Sequence, residues 1–174
     1  MKITTKRLKM LPVTENDWPL FVRLYSDPGV TALCFDQPSD AELKAKFEAR
    51  LHPWKPNSDF WLCLVIFDNI SGEAVGITGF CMQDGIAEVG YLLLPEFHGK
   101  QYGTESLAAL LNWAVTNHGI THYRAVVTAG NVASERVLIK CGFHLDQIVP
   151  DAYEIGGTRY ADHIYICTRN EDNS

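Results

Sequence analysis

From Glu88 to Glu105 the chain reads Glu-Val-Gly-Tyr-Leu-Leu-Leu-Pro-Glu-Phe-His-Gly-Lys-Gln-Tyr-Gly-Thr-Glu, and no other stretch narrows the possible folds as much. The apolar run Val89 to Leu94 predicts a strand, and Pro95 stops it. A short loop carrying Gly99 and Gly103 then leads into an amphipathic helix from about Thr104. A strand that turns through glycines into a helix N-terminus offers an anion amides with no intrahelical partner, at the positive end of the peptide dipole. Glycine lets those amides come close without a Cβ in the way. The expectation is a phosphate-bearing ligand held by main chain at residues 98–104. Two common phosphate loops are excluded by spacing. Three residues separate Gly99 from Gly103, where a Walker-type loop needs four followed by Lys-Ser/Thr, and G-x-G-x-x-G is absent. On the loop alone, the two glycines equally suit an ordinary strand-to-helix turn.

A second segment decides between these readings. Residues 131–143, Asn-Val-Ala-Ser-Glu-Arg-Val-Leu-Ile-Lys-Cys-Gly-Phe, follow the β-branched run Tyr123 to Thr128. They predict a short helix stopped by Gly142 and a new strand from Phe143. With both segments in place, the chain resembles the GNAT superfamily of acetyl-CoA-dependent N-acetyltransferases. That family's loop runs Arg/Gln-x-x-Gly-x-Gly/Ala, and its later helix Asn-x-x-(Ala/Ser) ends in Gly-Phe. Thr5-Lys6-Arg7-Leu8, the Ser of Asn-x-x-Ser, and Gly157 through Asp162 are similar to the ribosomal-protein N-terminal acetyltransferase branch. The resemblance covers residues 3–169.

The remaining chain alternates strands and helices without repeats. It predicts strands over 6–13, 60–67 and 74–82, helices opened by Thr14 and Ser39, and irregular segments at Ser26 to Pro38 and Leu51 to Asp59. In the helix from Thr104, Leu107, Leu110, Leu111, Ala114 and Val115 form one apolar stripe, read as core. The fold class is therefore α/β (α+β): a mixed, mostly antiparallel sheet of about seven strands flanked by about four helices. The strands ending near Leu94 and Thr128 are joined by a helix crossover and should run parallel. The resemblance implies that they splay, so that the cofactor arm lies against the main chain of Leu92, Leu93 and Leu94.

It also implies acetyl transfer from acetyl-CoA to an amine. The expected cofactor contacts are His98, Gly99, Lys100, Gln101, Tyr102, Gly103, Thr104, Asn131 and Ser134. The expected catalytic groups are Ser134 at the cofactor sulfur, Glu88 as the base, and the Leu93 backbone N–H at the carbonyl oxygen. As plain structure, Ser134 is a first-turn helix serine, Asn131 an N-cap and Glu88 a solvated strand-end carboxylate. Asp151, Glu154, Tyr153 and Tyr160 lie in the last hairpin, which by the resemblance borders the acceptor site, and one of its two carboxylates could replace Glu88 as the base. Two positions depart from the family. Leu138 stands where many relatives place a tyrosine acid, and Gln101 where they place Gly, which would strain any left-handed conformation by roughly 1 kcal/mol. Expected acceptor-pocket aromatics are Phe35, Trp54, Phe60, Trp61, Tyr153 and Tyr160.

Composition fits this reading. The chain has 174 residues, 47% hydrophobic, enough for one domain over residues 1–169, with a polar tail at 170–174 expected to fray. Net charge −6 argues against nucleic-acid binding and permits an amine acceptor. Cys34, Cys63, Cys81, Cys141 and Cys167 form no C-x-x-C pair and read as reduced thiols of a cytoplasmic protein. No apolar run approaches membrane-spanning length, and the start lacks a signal-peptide core. His118 and His122 lack the Glu of H-E-x-x-H, so no metal is expected. The assembly is expected to be a monomer or homodimer. A silent CoA-binding module and a transferase of another acyl group, such as succinyl, are the competing functions.

Overall fold

The computed structural model describes residues 1–170; positions 171–174 of the expected tail lie outside the described residues. One strand over 6–13 is replaced by a ribbon of β1 (Ile3–Thr4) and β2 (Leu8–Pro12). Thr5 turns the chain between them: its N–H donates to the Leu8 carbonyl and its Oγ1 accepts from the Leu8 N–H, both at 2.9 Å. Helix α1 (Trp18–Ser26) follows a 3-10 turn in which the Asp17 carboxylate accepts from the Thr14 N–H at 2.7 Å. A four-residue helix, α2 (Pro28–Thr31), interrupts the segment expected to be irregular. Pro28 pre-sets its first φ, and the Asp27 carboxylate caps the Gly29 N–H at 2.8 Å. Helix α3 (Asp40–Arg50) starts at Ser39, whose Oγ accepts from the Glu42 N–H.

The rest is β3 (Leu62–Asp68), β4 (Ala74–Gln83), β5 (Ile86–Leu93), α4 (Tyr102–His118), β6 (His122–Thr128), α5 (Val132–Lys140), β7 (His144–Ile155) and β8 (Thr158–Thr168). The described residues thus form eight strands and five α-helices, one more of each than expected, because β1 and α2 are too short to show a period. Strand order is β1-β2-β3-β4-β5-β6-β8-β7, and every neighbouring pair is antiparallel except β5 with β6.

That parallel pair positions the site. β5 and β6 are joined only at Ala87↔Tyr123 and Glu88↔Arg124, after which the strands part. Side chains alternate along β5, so Tyr91 and Leu93 face one side of the sheet while Glu88 and Gly90 face the other. On the first side lie α5, whose Ser134 meets Tyr91, and α4, whose Gly103 approaches Leu93. On the second side Trp61 covers Gly90, and Arg50 of α3 covers Trp61. The gap between the parting strands connects the two faces.

The α4 stripe is core, as its period requires: Leu107, Leu110, Leu111 and Ala114 are fully buried. Each buried leucine contributes about 1.5–3 kcal/mol of transfer free energy. This anchors the helix whose N-terminus closes the gap.

Candidate active site

A cavity of about 700 Å³ runs through the gap, lined by the β5 and β6 main chain, the residues before α4, the first turns of α5, and α1–α3 on the far face. At one end is the glycine loop. Gly99 and Gln101 both have positive φ, +73° and +65°, and His98 between Phe97 and Gly99 is extended. Alternating φ signs turn successive amides toward one side. The consecutive N–H groups from Gly99 to Thr104 make no hydrogen bond among the described residues; the first helical bond is Glu105 N–H to the Gln101 carbonyl. Helix α4 therefore begins at Tyr102, two residues before the expected Thr104, because left-handed Gln101 ends the loop there. Gln101 bears the strain that its type implies, and Lys140 of α5 donates to its Oε1 at 2.9 Å. Gly103 is a close-packing position: a Cβ there would sit 3.3 Å from Val137 and 3.4 Å from Leu93.

Not every residue of this loop turns its side chain to the cavity. The His98 N–H is taken by the Pro95 carbonyl, and its Nε2 donates to the Leu93 carbonyl at 2.8 Å, which places the neutral ring's proton on Nε2. His98 remains at the cavity wall, with its Nε2 committed to the Leu93 carbonyl. Lys100 lies over the Phe97 ring. The Tyr102 hydroxyl donates to Asp68 at 2.6 Å while Arg7, bonded to Glu105, covers the Tyr102 ring. Tyr102 and the Ser71 and Ile70 amides hold the Asp68 carboxyl down at about 2, so it stays an acceptor for the phenol. This cluster pins the helix N-terminus to β2 and β3.

The middle of the cavity is built from β5 and α5. Leu94 N–H donates to the Val75 carbonyl at 2.9 Å, so Leu92 and Leu94 point their amides to β4 and Leu93 points its N–H into the gap. Of the three expected main-chain partners, only Leu93 offers an amide there, and its carbonyl is occupied by His98. The reason is the alternation of the antiparallel ladder. Across the gap, Asn131 caps α5: its Oδ1 accepts from the Ser134 N–H at 3.3 Å. Ser134 Oγ lies 2.8 Å from the Tyr91 hydroxyl, which also reaches the Ser134 carbonyl at 3.1 Å. Burial raises the Tyr91 phenol well above its ordinary value, outweighing the lowering by Ser134, so it remains protonated. Sequence reasoning missed Tyr91. Strand alternation places it on the α5 face, but only the tertiary fold brings it to Ser134. Leu138 is fully buried core.

On the other face Glu88 Oε1 accepts from Arg124 Nε at 3.2 Å and from its terminal nitrogen at 3.0 Å; the same nitrogen donates to Gln83. Glu88 thus ties β5 to β6 at their last paired position, and its second oxygen makes none of these bonds. The surrounding wall differs from the expected one. Phe35 and Trp61 line the cavity, joined by Tyr25, which stacks on Phe35 at 5.0 Å. Trp54 instead packs on Phe80, Trp113 and His118, on the α4 face. Phe60 meets His52, and Asp151, Tyr153, Glu154 and Tyr160 extend along the β7–β8 hairpin outside the cavity lining. β7 and β8 run beyond β6, and the Gly156 N–H at their turn donates to Asp36 at 2.7 Å, which keeps the hairpin beside the cavity but outside its lining.

All five cysteines are free thiols. Among the described residues no group of three or more His, Cys, Asp or Glu is placed to hold a metal ion, and no helix is long and apolar enough to cross a membrane.

Comparison with known proteins agrees with this geometry. A family model described as an acetyltransferase (GNAT) domain matches residues 7–144. The uncharacterized N-acetyltransferase YoaA of Bacillus subtilis is 28% identical over 96 residues, 53% of this chain and 54% of that protein, so the match spans about half the length of the relative. Two solved structures share the fold. RimL, a ribosomal L7/L12 alpha-N-protein acetyltransferase in complex with coenzyme A, has a TM-score of 0.83 at 18% identity, covering 99% of this chain and 100% of that one. Spermidine N-acetyltransferase from Vibrio cholerae, in complex with CoA and spermine, has a TM-score of 0.83 at 15% identity, covering 98% and 100%. The glycine loop, the parted strands and the family match lead to one conclusion: this chain belongs to the GNAT acetyltransferase family.

Proposed function

We propose that residues 1–169 form one N-acetyltransferase domain that moves an acetyl group from acetyl-CoA to a primary amine by direct attack in a ternary complex. The observation that carries this reading is the run of unpartnered amides, Gly99 to Thr104, at one end of a gap whose centre holds the Leu93 N–H opposite Ser134. The amides and the α4 dipole suit the diphosphate of CoA, and the parted strands suit its extended arm. RimL and the Vibrio cholerae enzyme, solved with CoA, support the same cofactor for this fold.

The chemistry distributes over both faces. The amine reaches the thioester from the Glu88 face, and its ammonium proton passes to the unbonded oxygen of Glu88, directly or through water. Nitrogen then attacks the carbonyl carbon, and the Leu93 N–H meets the oxygen as it gains charge. The carbon–sulfur bond breaks, and the Ser134 hydroxyl donates to the departing thiolate. The Tyr91 hydroxyl has both the Ser134 Oγ at 2.8 Å and the Ser134 carbonyl at 3.1 Å in reach; when its hydrogen turns to Oγ, the serine's own hydrogen is free for sulfur. The second proton shed by nitrogen balances the one gained by the thiol, so each turnover releases one proton to solvent.

The acceptor is a primary amine. RimL and the spermidine enzyme share this fold with different acceptors, so the ribosomal-protein branch and a small-amine substrate are separated by assay, not by fold. Thiol release from acetyl-CoA with a panel of amines and N-terminal peptides tests the reading. Amine-dependent release supports it, and CoA binding without transfer to any amine contradicts it.

A further inference from the structure

The acceptor face contains two cations that the reaction above does not use. Lys46 and Arg50 are one turn apart on α3, so they share a helix face, and both line the cavity. The Lys46 ammonium lies 5.3 Å from the centre of the Tyr25 ring and 5.9 Å from that of Phe35. The Arg50 guanidinium lies 5.0 Å from the Trp61 ring, which itself covers Gly90 of β5.

Among the described residues neither cation forms an ion pair with a carboxylate. Among the described residues the ion pairs are Arg7–Glu105, Arg23–Glu96, Arg124–Glu88 and His163–Glu135. Glu88 is the one carboxylate lining the described cavity, and Arg124 already holds it. In a chain of net charge −6, two neighbouring cations left on aromatic rings at a cavity wall are not a consequence of composition. They also oppose each other: desolvation first, and then Arg50, lower the Lys46 ammonium below its ordinary value, with Glu42 offsetting this in part. An anion between the two relieves that repulsion. The CoA diphosphate is not that anion, because its amides lie beside α4, on the opposite face of the sheet from α3.

Resting on the acetyltransferase reading, the geometry points to an acceptor amine that carries a carboxylate, bound by Lys46 and Arg50 while its nitrogen lies toward Glu88. The substrate class is a small amino carboxylate, with its apolar part against Tyr25, Phe35 and Trp61. A polycation is the wrong partner for this wall.

The test uses matched pairs that differ only in the carboxylate: a set of aromatic and aliphatic amino acids, each with its decarboxylated amine. Each pair is titrated calorimetrically into the CoA-loaded protein and assayed for thiol release with acetyl-CoA. At least one amino acid binds about tenfold or more above its amine, the worth of one partly desolvated charge pair. The double variant Lys46→Gln, Arg50→Gln brings that ratio to near one without changing CoA affinity. If no amino acid exceeds its amine in binding, the proposal is overturned, whatever the turnover. If the binding preference holds but neither these pairs nor the wider panel of amines and N-terminal peptides turns over, the carboxylate-binding site stands and the acetyltransferase reading, with the acceptor role, falls. A parallel arm compares succinyl-CoA with acetyl-CoA: a succinyl preference abolished by the double variant, with none among the amines, assigns the cations to the acyl group and overturns the proposal.

Discussion

The two ends of the cavity are made from different materials. The proposed phosphate end is main chain: amides from Gly99 to Thr104, a helix dipole, and positive φ at Gly99 and Gln101. The proposed acceptor end is side chain: Tyr25, Phe35, Lys46, Arg50 and Trp61, drawn from α1, α3 and the segments beside them. A backbone-built end is fixed by the path of the chain, so it serves one cofactor and tolerates only residues that keep that path. A side-chain-built end is free to change without moving the strands. The family can therefore hold one cofactor and vary its acceptor.

The largest expected effect separates the two ends. In Gly103→Val the branched side chain meets Val137 and Leu93 at the close approach, tilting the α4 N-terminus. CoA affinity falls by about 100-fold or more while far-UV circular dichroism is retained. Unchanged affinity removes the loop from the site.

Ser134→Ala comes next and probes the centre. Turnover falls by about 10² with the KM for acetyl-CoA nearly constant, because the lost bond forms only as the thiolate departs. Tyr91→Phe has a smaller effect, and the double variant is no worse than Ser134→Ala alone, since Tyr91 acts through the serine. Additive losses contradict that coupling.

These positions were unequally legible. The strand, glycine turn and helix at 88–105 are periodic and local, so that path of the chain followed from the sequence, as did Asn131 as a cap. The Tyr91–Ser134 bond joins residues 43 apart, and no period reports such a pair. The acceptor wall was legible only in part. Trp54 and Trp61 look alike in an aromatic, proline-broken segment, yet one packs under α4 and the other covers Gly90. Lys46 and Arg50 come to the cavity wall only because α3 docks on the sheet, which no local pattern reports.

Smaller effects then test the acceptor end. Trp61→Ala removes the floor under Arg50 and raises the acceptor KM by about tenfold, with acetyl-CoA affinity within about twofold. An equal loss at both ends contradicts the division. The smallest change is Gln101→Gly. It relieves a left-handed side chain but loses the Lys140 bond and gains unfolded-state entropy, so stability moves by no more than about 1 kcal/mol in thermal unfolding.

The most direct test of the backbone grip is a calorimetric titration of coenzyme A beside pantetheine, which has the same thiol arm and lacks the diphosphate. The unpartnered amides from Gly99 to Thr104 predict that CoA binds about 100-fold or more above pantetheine. Equal affinities, or no heat with CoA at millimolar concentration, contradict the account.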